Sequence, residues 1–304
     1  MQHREAGGIA VCFSMLHRKS MTLITSPSNP RIGKVQDLHT PKGRKKQGLF
    51  LMEGPHLLDV LLDNAVLPLE IYYSPALLAR TAHGRALLHR LLHTTSFPRD
   101  RLIEVSERVI ESLGETQTSQ GVVSVLPLSA FKPEQTRARR PASHLPTPRP
   151  ALLILDGLAD PGNMGTILRT ALAADVEEVL LTPNCVDCFS PKVVRAAAGA
   201  HVALPLAVNQ SWAAIAARIQ AHCQGDQHVL LAEAGSSRWY YEQDLHSPFA
   251  LIIGNEAHGP SPEARNIATA SIAIPLANNV ESLNAAMATG IILYEALRQS
   301  RSHS

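Results

Sequence analysis

The chain has 304 residues, 45% of them hydrophobic and 18% charged, an ordinary soluble composition for about two domains of roughly 150 residues, each able to bury a core without staples. No apolar run reaches the ~18 residues of a membrane span, and four cysteines make no disulfide framework, which points to a reducing, cytoplasmic setting. The net charge of +2 is uneven: residues 1–150 carry 20 Lys/Arg against 12 Asp/Glu (net +8) and residues 151–304 carry 8 against 14 (net −6), so the first half is suited to a polyanion.

Residues 1–20 place an apolar stretch, Gly8 to Leu16, before His17-Arg18-Lys19. A signal peptide has the reverse order, so this segment reads as a disordered tail, with Met21 as a second candidate start. Ser26-Pro27-Ser28-Asn29-Pro30 is turn chemistry, and Lys42 to Lys46 reads as a basic loop. Strands are expected at Leu49–Glu53, Glu70–Ser74, Leu102–Val105 and Val122–Val125, with helices at His56–Leu62 and Ala76–His93. That alternation makes residues 21–128 a small α/β domain. Residues 129–150 hold five prolines and five Lys/Arg, too little apolar area to offset ordering entropy, and read as a semi-extended linker.

Residues 151–304 alternate strand and helix. Strands are expected at 151–155, 178–181, 202–208, 229–232, 250–253 and 272–276, and helices at 164–174, 191–200, 211–223 and 282–299. This pattern predicts a parallel sheet covered on both faces, whose ligands sit beyond the carboxyl ends of the strands. No internal repeat is visible.

Three strand-end loops carry candidate chemistry. The first, Asp156 to Gly165, leads into Thr166-Ile-Leu-Arg169. Its glycines allow close approach of a ligand or a neighbouring element, with Asn163 in the loop and Arg169 two turns in. The second, Gly254-Asn-Glu256-Ala-His-Gly259, sets a lone carboxylate past a buried strand. The third runs from Ile274 to Asn284, where Ser282 suits a helix N-cap and Asn284 is less needed for one. Each loop alone is also an ordinary turn, and none is a dinucleotide or P-loop fingerprint, which argues against a nucleotide-dependent enzyme on a Rossmann sheet. Cys185-Val-Asp-Cys188 lacks a second pair at zinc spacing, and His89/His93 lack the glutamate of a zinc helix, so no metal is expected.

In order and spacing the three loops resemble the motifs of the SPOUT-class TrmH/SpoU family of RNA 2′-O-ribose methyltransferases. Asn163-x-Gly165-x-Ile167-x-Arg169 resembles the first motif and Gly254 to Gly259 the second. Pro275 with Ser282-Leu283-Asn284 and the helix to Glu295 resembles the third. Residues 22–126 are more loosely similar to an L30e-like substrate-binding domain, through Ser28-Asn29-Pro30 and Phe50 to Gly54.

The resemblance implies an α/β protein whose C-terminal domain, 151–304, ties a trefoil knot around a parallel sheet. It implies S-adenosylmethionine bound near Gly254, Ile274, Leu283 and Asn284, and a catalytic set of Arg169, Asn163, Glu256, Ser282 and Asn284. Arg169 is expected to grip the phosphate beside the target ribose, because a guanidinium stays protonated and is a poor base. Glu256 is expected to orient Arg169 or Asn163. The N-terminal domain is expected to bind RNA phosphates through Arg31, Lys34, Lys42, Arg44, Lys45 and Lys46. A homodimer through the knotted domain is implied, with the final helix facing the second subunit, and no membrane partner. Ribosomal RNA is the expected substrate. Transfer RNA, or a non-catalytic RNA-binding or ribosome-assembly factor on the same fold, is the alternative.

Overall fold

In the computed structural model, which describes residues 23–94, 97–115, 118–140, 142, 152–223, 228–245 and 248–301, the apolar runs build two sheets. The first contains β1 (Leu49–Glu53), β2 (Glu70–Tyr73), β3 (Leu102–Glu104) and β4 (Val122–Pro127) in the order β1-β4-β2-β3. β4 is antiparallel to β1 and β2, and β2 is parallel to β3. Successive side chains go to opposite faces: Phe50 and Met52 enter one core cluster, Leu51 the other.

The second sheet contains β5 (Leu152–Leu155), β6 (Glu178–Leu181), β7 (Leu206–Ala207), β8 (Val229–Ala232), β9 (Ala250–Ile253) and β10 (Ala270–Ile272). Its order is β10-β8-β9-β5-β6-β7, and every pairing is parallel. All four residues of β5 are fully buried; Leu153 and Leu155 join one cluster, Leu152 and Ile154 the other. Both faces are covered, which is why the strand is apolar throughout. Each such side chain contributes about 1.5–3 kcal/mol.

Several elements differ from their sequence reading. Lys42–Lys46 is a helix, Pro41–Gln47, because Thr40 caps it, Pro41 starts it and Gly48 ends it at φ +67°. The expected helix 76–93 is broken: Pro75–Leu78 stops, and Ala82–His89 restarts after Thr81, whose Oγ1 accepts from Gly84 N. The final helix spans Ala285–Arg301, not 282–299. Of the few aromatic residues, Phe50, Tyr73, Phe97 and Phe131 enter one N-terminal core cluster.

The two α/β units share a packed junction. Phe189, in the loop after β6, lies with its ring centroid 4.9 Å from that of Phe50, and Val194 and Val202 enter the same N-terminal cluster. Beside them Arg44, 3% exposed, donates from Nη2 and Nε to Asp187 Oδ2 at 2.6 and 2.8 Å, and from Nη1 to the Leu38 and His39 carbonyls.

The Pro/Arg-rich segment is not semi-extended where it is described. Pro133–Arg139 is a helix with Thr136 buried. Arg137 and Arg218 converge on Glu178, which is fully buried, and Arg140 pairs with Asp175 while donating to the Val176 carbonyl at 2.6 Å. Two of its arginines, Arg137 and Arg140, are tied to carboxylates of the second unit, and that supplies the ordering energy that composition alone withholds. The expected tail at 1–20 lies outside the described residues.

Candidate active site

The three loops converge where a parallel sheet should bind its ligand, past the carboxyl ends of β5, β8, β9 and β10. Two side chains clip the β5 and β9 loops together. Asp156 Oδ2 accepts from Ser261 N at 2.7 Å, and Asn255 Nδ2 donates to the Gly157 carbonyl at 2.6 Å. Asn255 Oδ1 also accepts from the N–H groups of Ala257 and His258, and a backbone bridge joins Asn255 to Gly259. Gly254 must be glycine, because a Cβ there would stand 2.5 Å from Pro260 N.

On this frame the polar site is a relay. Asn163 is in the first turn of the helix Pro161–Ala173, whose N-cap is Asp160, rather than in the loop. Asn163 Nδ2 donates to Glu256 Oε1 at 3.0 Å, and Asn284 Nδ2 donates to Asn163 Oδ1 at 2.8 Å. Asn284 Oδ1 accepts from the N–H groups of Ala286 and Met287, so Asn284, not Ser282, caps the final helix. That cap fixes which way the Asn284 amide faces, and through it the amide of Asn163. Burial pushes the Glu256 carboxyl up, but Asn163 Nδ2 and the N–H groups of Ala159 and Asp160 together outweigh it and hold the carboxyl below its ordinary value. Glu256 is therefore a fixed anion and a weak base.

The relay borders a cavity of about 600 Å³, a size suited to a small molecule. Ile253, Ile272, Ile274, Leu276, Leu283 and Ile292 form aliphatic wall, and Asn163, Glu256, Ser282 and Asn284 add polar lining. All four expected cofactor contacts, Gly254, Ile274, Leu283 and Asn284, line it. Arg169 does not. It is exposed on the same helix as Asn163, with no hydrogen bond found among the described residues. Gly165, the glycine of the first motif, serves helix packing: a Cβ would be 2.4 Å from Ala196 Cβ and 2.8 Å from the Val193 carbonyl.

Glu233 and Arg265, which line the same cavity as an ion pair, were missed. Glu233 follows the apolar run Val229–Ala232 directly, the same signal that drew attention to Glu256.

Of the expected phosphate contacts, Lys34, Lys42, Lys45 and Lys46 are exposed, and Arg31 is half-exposed but engaged by Glu70. Arg44 is corrected: it is buried in the junction with Asp187, because Gly43 and Arg44 lie on the inward face of their helix. Cys185 and Cys188 are free thiols, the first donating to the Leu155 carbonyl at 3.0 Å, the second buried. Among the described residues no helix is long and apolar enough to cross a membrane.

A family model described as the SpoU rRNA methylase family matches residues 150–294, and one described as an MRM3-like substrate binding domain matches residues 29–124. The chain is 36% identical to an uncharacterized tRNA/rRNA methyltransferase of Synechocystis sp., over 91% of this chain and 93% of that protein. It is 29% identical to the 23S rRNA (guanosine(2553)-2′-O)-methyltransferase RlmP of Bacillus subtilis, over 90% and 98% respectively. The crystal structure of an AdoMet-bound rRNA methyltransferase from Sinorhizobium meliloti matches with a TM-score of 0.72 at 28% identity, covering 91% of this chain and 97% of that one.

Proposed function

The chain belongs to the SpoU rRNA methylase family, and from that membership we propose that it uses S-adenosylmethionine to methylate a ribose 2′-oxygen in ribosomal RNA. The observation that carries the reading is the relay Glu256–Asn163–Asn284, drawn from three loops to the edge of one cavity. The cavity fits the donor: its aliphatic walls suit a flat base and a thioether, and its polar side suits a sugar and an amino-acid head.

S-adenosylmethionine supplies a methyl carbon on a sulfonium, open to in-line attack. The protein has to seat the reactants in line, which alone is worth several kcal/mol. Gly254, Ile274 and Leu283 form donor-side wall, and Ser282 and Asn284 stand at the polar edge where a ribose would be held. Glu256 holds Asn163 and not Arg169. Among the described residues Arg169 has no side-chain partner, as suits a residue kept for an external phosphate. There its charge steadies the alkoxide that develops as the hydroxyl is consumed. Replacing Arg169 by Ala is expected to lower kcat roughly 100- to 1,000-fold while the Kd for S-adenosylhomocysteine stays within about threefold; an equal loss of both would end this role.

A homodimer through the C-terminal domain is part of the proposal. The final helix buries Ile292, Leu293, Ala296 and Leu297 in its own subunit but leaves Met287 and Tyr294, seven residues apart, 59% and 53% exposed. Such a second apolar face suits a partner subunit, and light scattering on the full chain tests it. The family's trefoil knot is proposed for the same domain; tracing an experimental map through residues 250–301 tests it. A cytoplasmic setting suits three free thiols, Cys185, Cys188 and Cys223, each pushed up by burial and so kept unreactive. Mapping 2′-O-methyl sites in ribosomal and transfer RNA from cells with and without the gene tests the substrate: loss of a ribosomal site supports it, loss of a transfer-RNA site alone overturns it.

A further inference from the structure

The cavity contains a charged pair that the relay does not use. Glu233 is the first residue beyond β8, and its backbone is pinned: its N–H donates to the Ile272 carbonyl at 2.9 Å and its carbonyl accepts from Ser236 N at 3.2 Å. Its side chain is 29% exposed, lines the cavity and pairs through Oε1 with Arg265 Nη1. Arg265 stands in the short helix Pro262–Ile267, which follows the Gly254–Pro260 loop. A half-exposed ion pair adds little stability. Stability alone therefore gives no reason to place a carboxylate in a wall shared with Ala232, Ile253 and Ile272.

The position has a chemical meaning. A carboxylate just past the end of a parallel strand, with its backbone fixed, is placed to accept hydrogen bonds from the vicinal hydroxyls of a nucleoside. The relay lines the same cavity, so one ligand can meet both. We propose that Glu233 binds the ribose diol of the adenosyl donor, and that Arg265 orients the Glu233 carboxylate for that contact. This rests on the donor reading above and adds the group that recognises the donor's own sugar, as distinct from the RNA ribose.

The experiment is calorimetry on the full-length protein with S-adenosylhomocysteine and its 2′,3′-dideoxy analogue. For the natural sequence the analogue is expected to bind roughly 10-fold or more weaker, the loss that follows from unpairing a charged acceptor. Glu233→Gln and Glu233→Ala are each expected to weaken S-adenosylhomocysteine by a similar factor and to leave the Kd of the dideoxy analogue unchanged. Arg265→Ala is expected to show the same selectivity with a smaller factor. Unchanged thermal midpoints establish that the variants are folded. Equal weakening of both ligands in the Glu233 variants, or no weakening of either, overturns the assignment. If the natural sequence binds neither ligand, the donor reading fails first and this one with it.

Discussion

Arg44 separates two accounts of the basic N-terminal helix. If it were a phosphate ligand, replacing it would weaken RNA binding and reduce its salt dependence. The structure instead buries it at 3% exposure, with bonds of 2.6 and 2.8 Å to Asp187 and of 2.8 and 3.0 Å to two carbonyls. Arg44→Met keeps the aliphatic stem and removes all four bonds. Breaking a fully buried pair costs about 3–5 kcal/mol; Asp187 is 35% exposed and can rehydrate, so about 2–4 kcal/mol is expected. For a protein of this size that is a fall of roughly 5–10 °C in Tm. The slope of log Kd for RNA against log salt should not change. The triple variant Lys42→Gln, Lys45→Gln, Lys46→Gln should do the opposite: Tm within a degree or two, and a slope smaller by about 2, from three lost single-strand phosphate contacts at roughly 0.7 each. An Arg44→Met protein of unchanged Tm whose slope falls by about 0.7 would refute the buried-junction account.

Three other outcomes follow from the geometry. Glu256→Gln puts an NH2 among N–H donors that now face a carboxylate, so kcat is expected to fall roughly 100-fold with the Kd of S-adenosylhomocysteine nearly unchanged; steady-state kinetics with calorimetry checks it, and a donor-binding loss as large as the kcat loss counts against the relay. Gly165→Ala sets a methyl against Ala196 and the Val193 backbone and should cost about 1–3 kcal/mol by urea unfolding, although alanine is the better helix former; a stabilised variant would contradict the packing. His201 is buried, and burial lowers its pKa to about 4 despite the bond to the Cys188 carbonyl and the charge of Asp187; among the described residues its Nδ1 has no partner for a second proton. The unfolded chain takes up that proton near pH 6.5 and the folded one only near 4, so stability is lost as pH falls across that window, by about 3 kcal/mol. The difference between the unfolding pH profiles of the natural protein and His201→Leu should reproduce that slope, and parallel profiles would exclude it.

The parallel sheet was legible because β5, β8 and β9 are unbroken apolar runs, which only a doubly covered strand requires. The helices were less so, for one recurrent reason. Asn29-Pro30, Thr40-Pro41, Ser74-Pro75, Asp160-Pro161 and Ser261-Pro262 each open a helix, with the polar side chain accepting from the first turn. Proline costs nothing at a first helical position, where its missing N–H would have no partner anyway. Such pairs read as turns when judged by composition alone. The helix Pro133–Arg139 was hidden differently. Its ordering energy lies in Glu178 and Asp175, about 40 residues further along, and no local window contains them.

The site divides along the same line. Its three loops could be read because each one is short and carries its own polar residues. Which residues face each other could not, because that depends on strand order. β8 is inserted between β9 and β10, and only that insertion brings Glu233 alongside Gly254 and Ile274 in one cavity. Asn284 shows how tightly local and long-range demands are joined. As a helix cap it needs only its oxygen, and serine at 282 would have suited. As a link to Asn163 it also needs a donor on the same planar group, held in the opposite direction. Among capping side chains only asparagine has both, so the residue that looked dispensable for the helix is the one that ties the helix to the site.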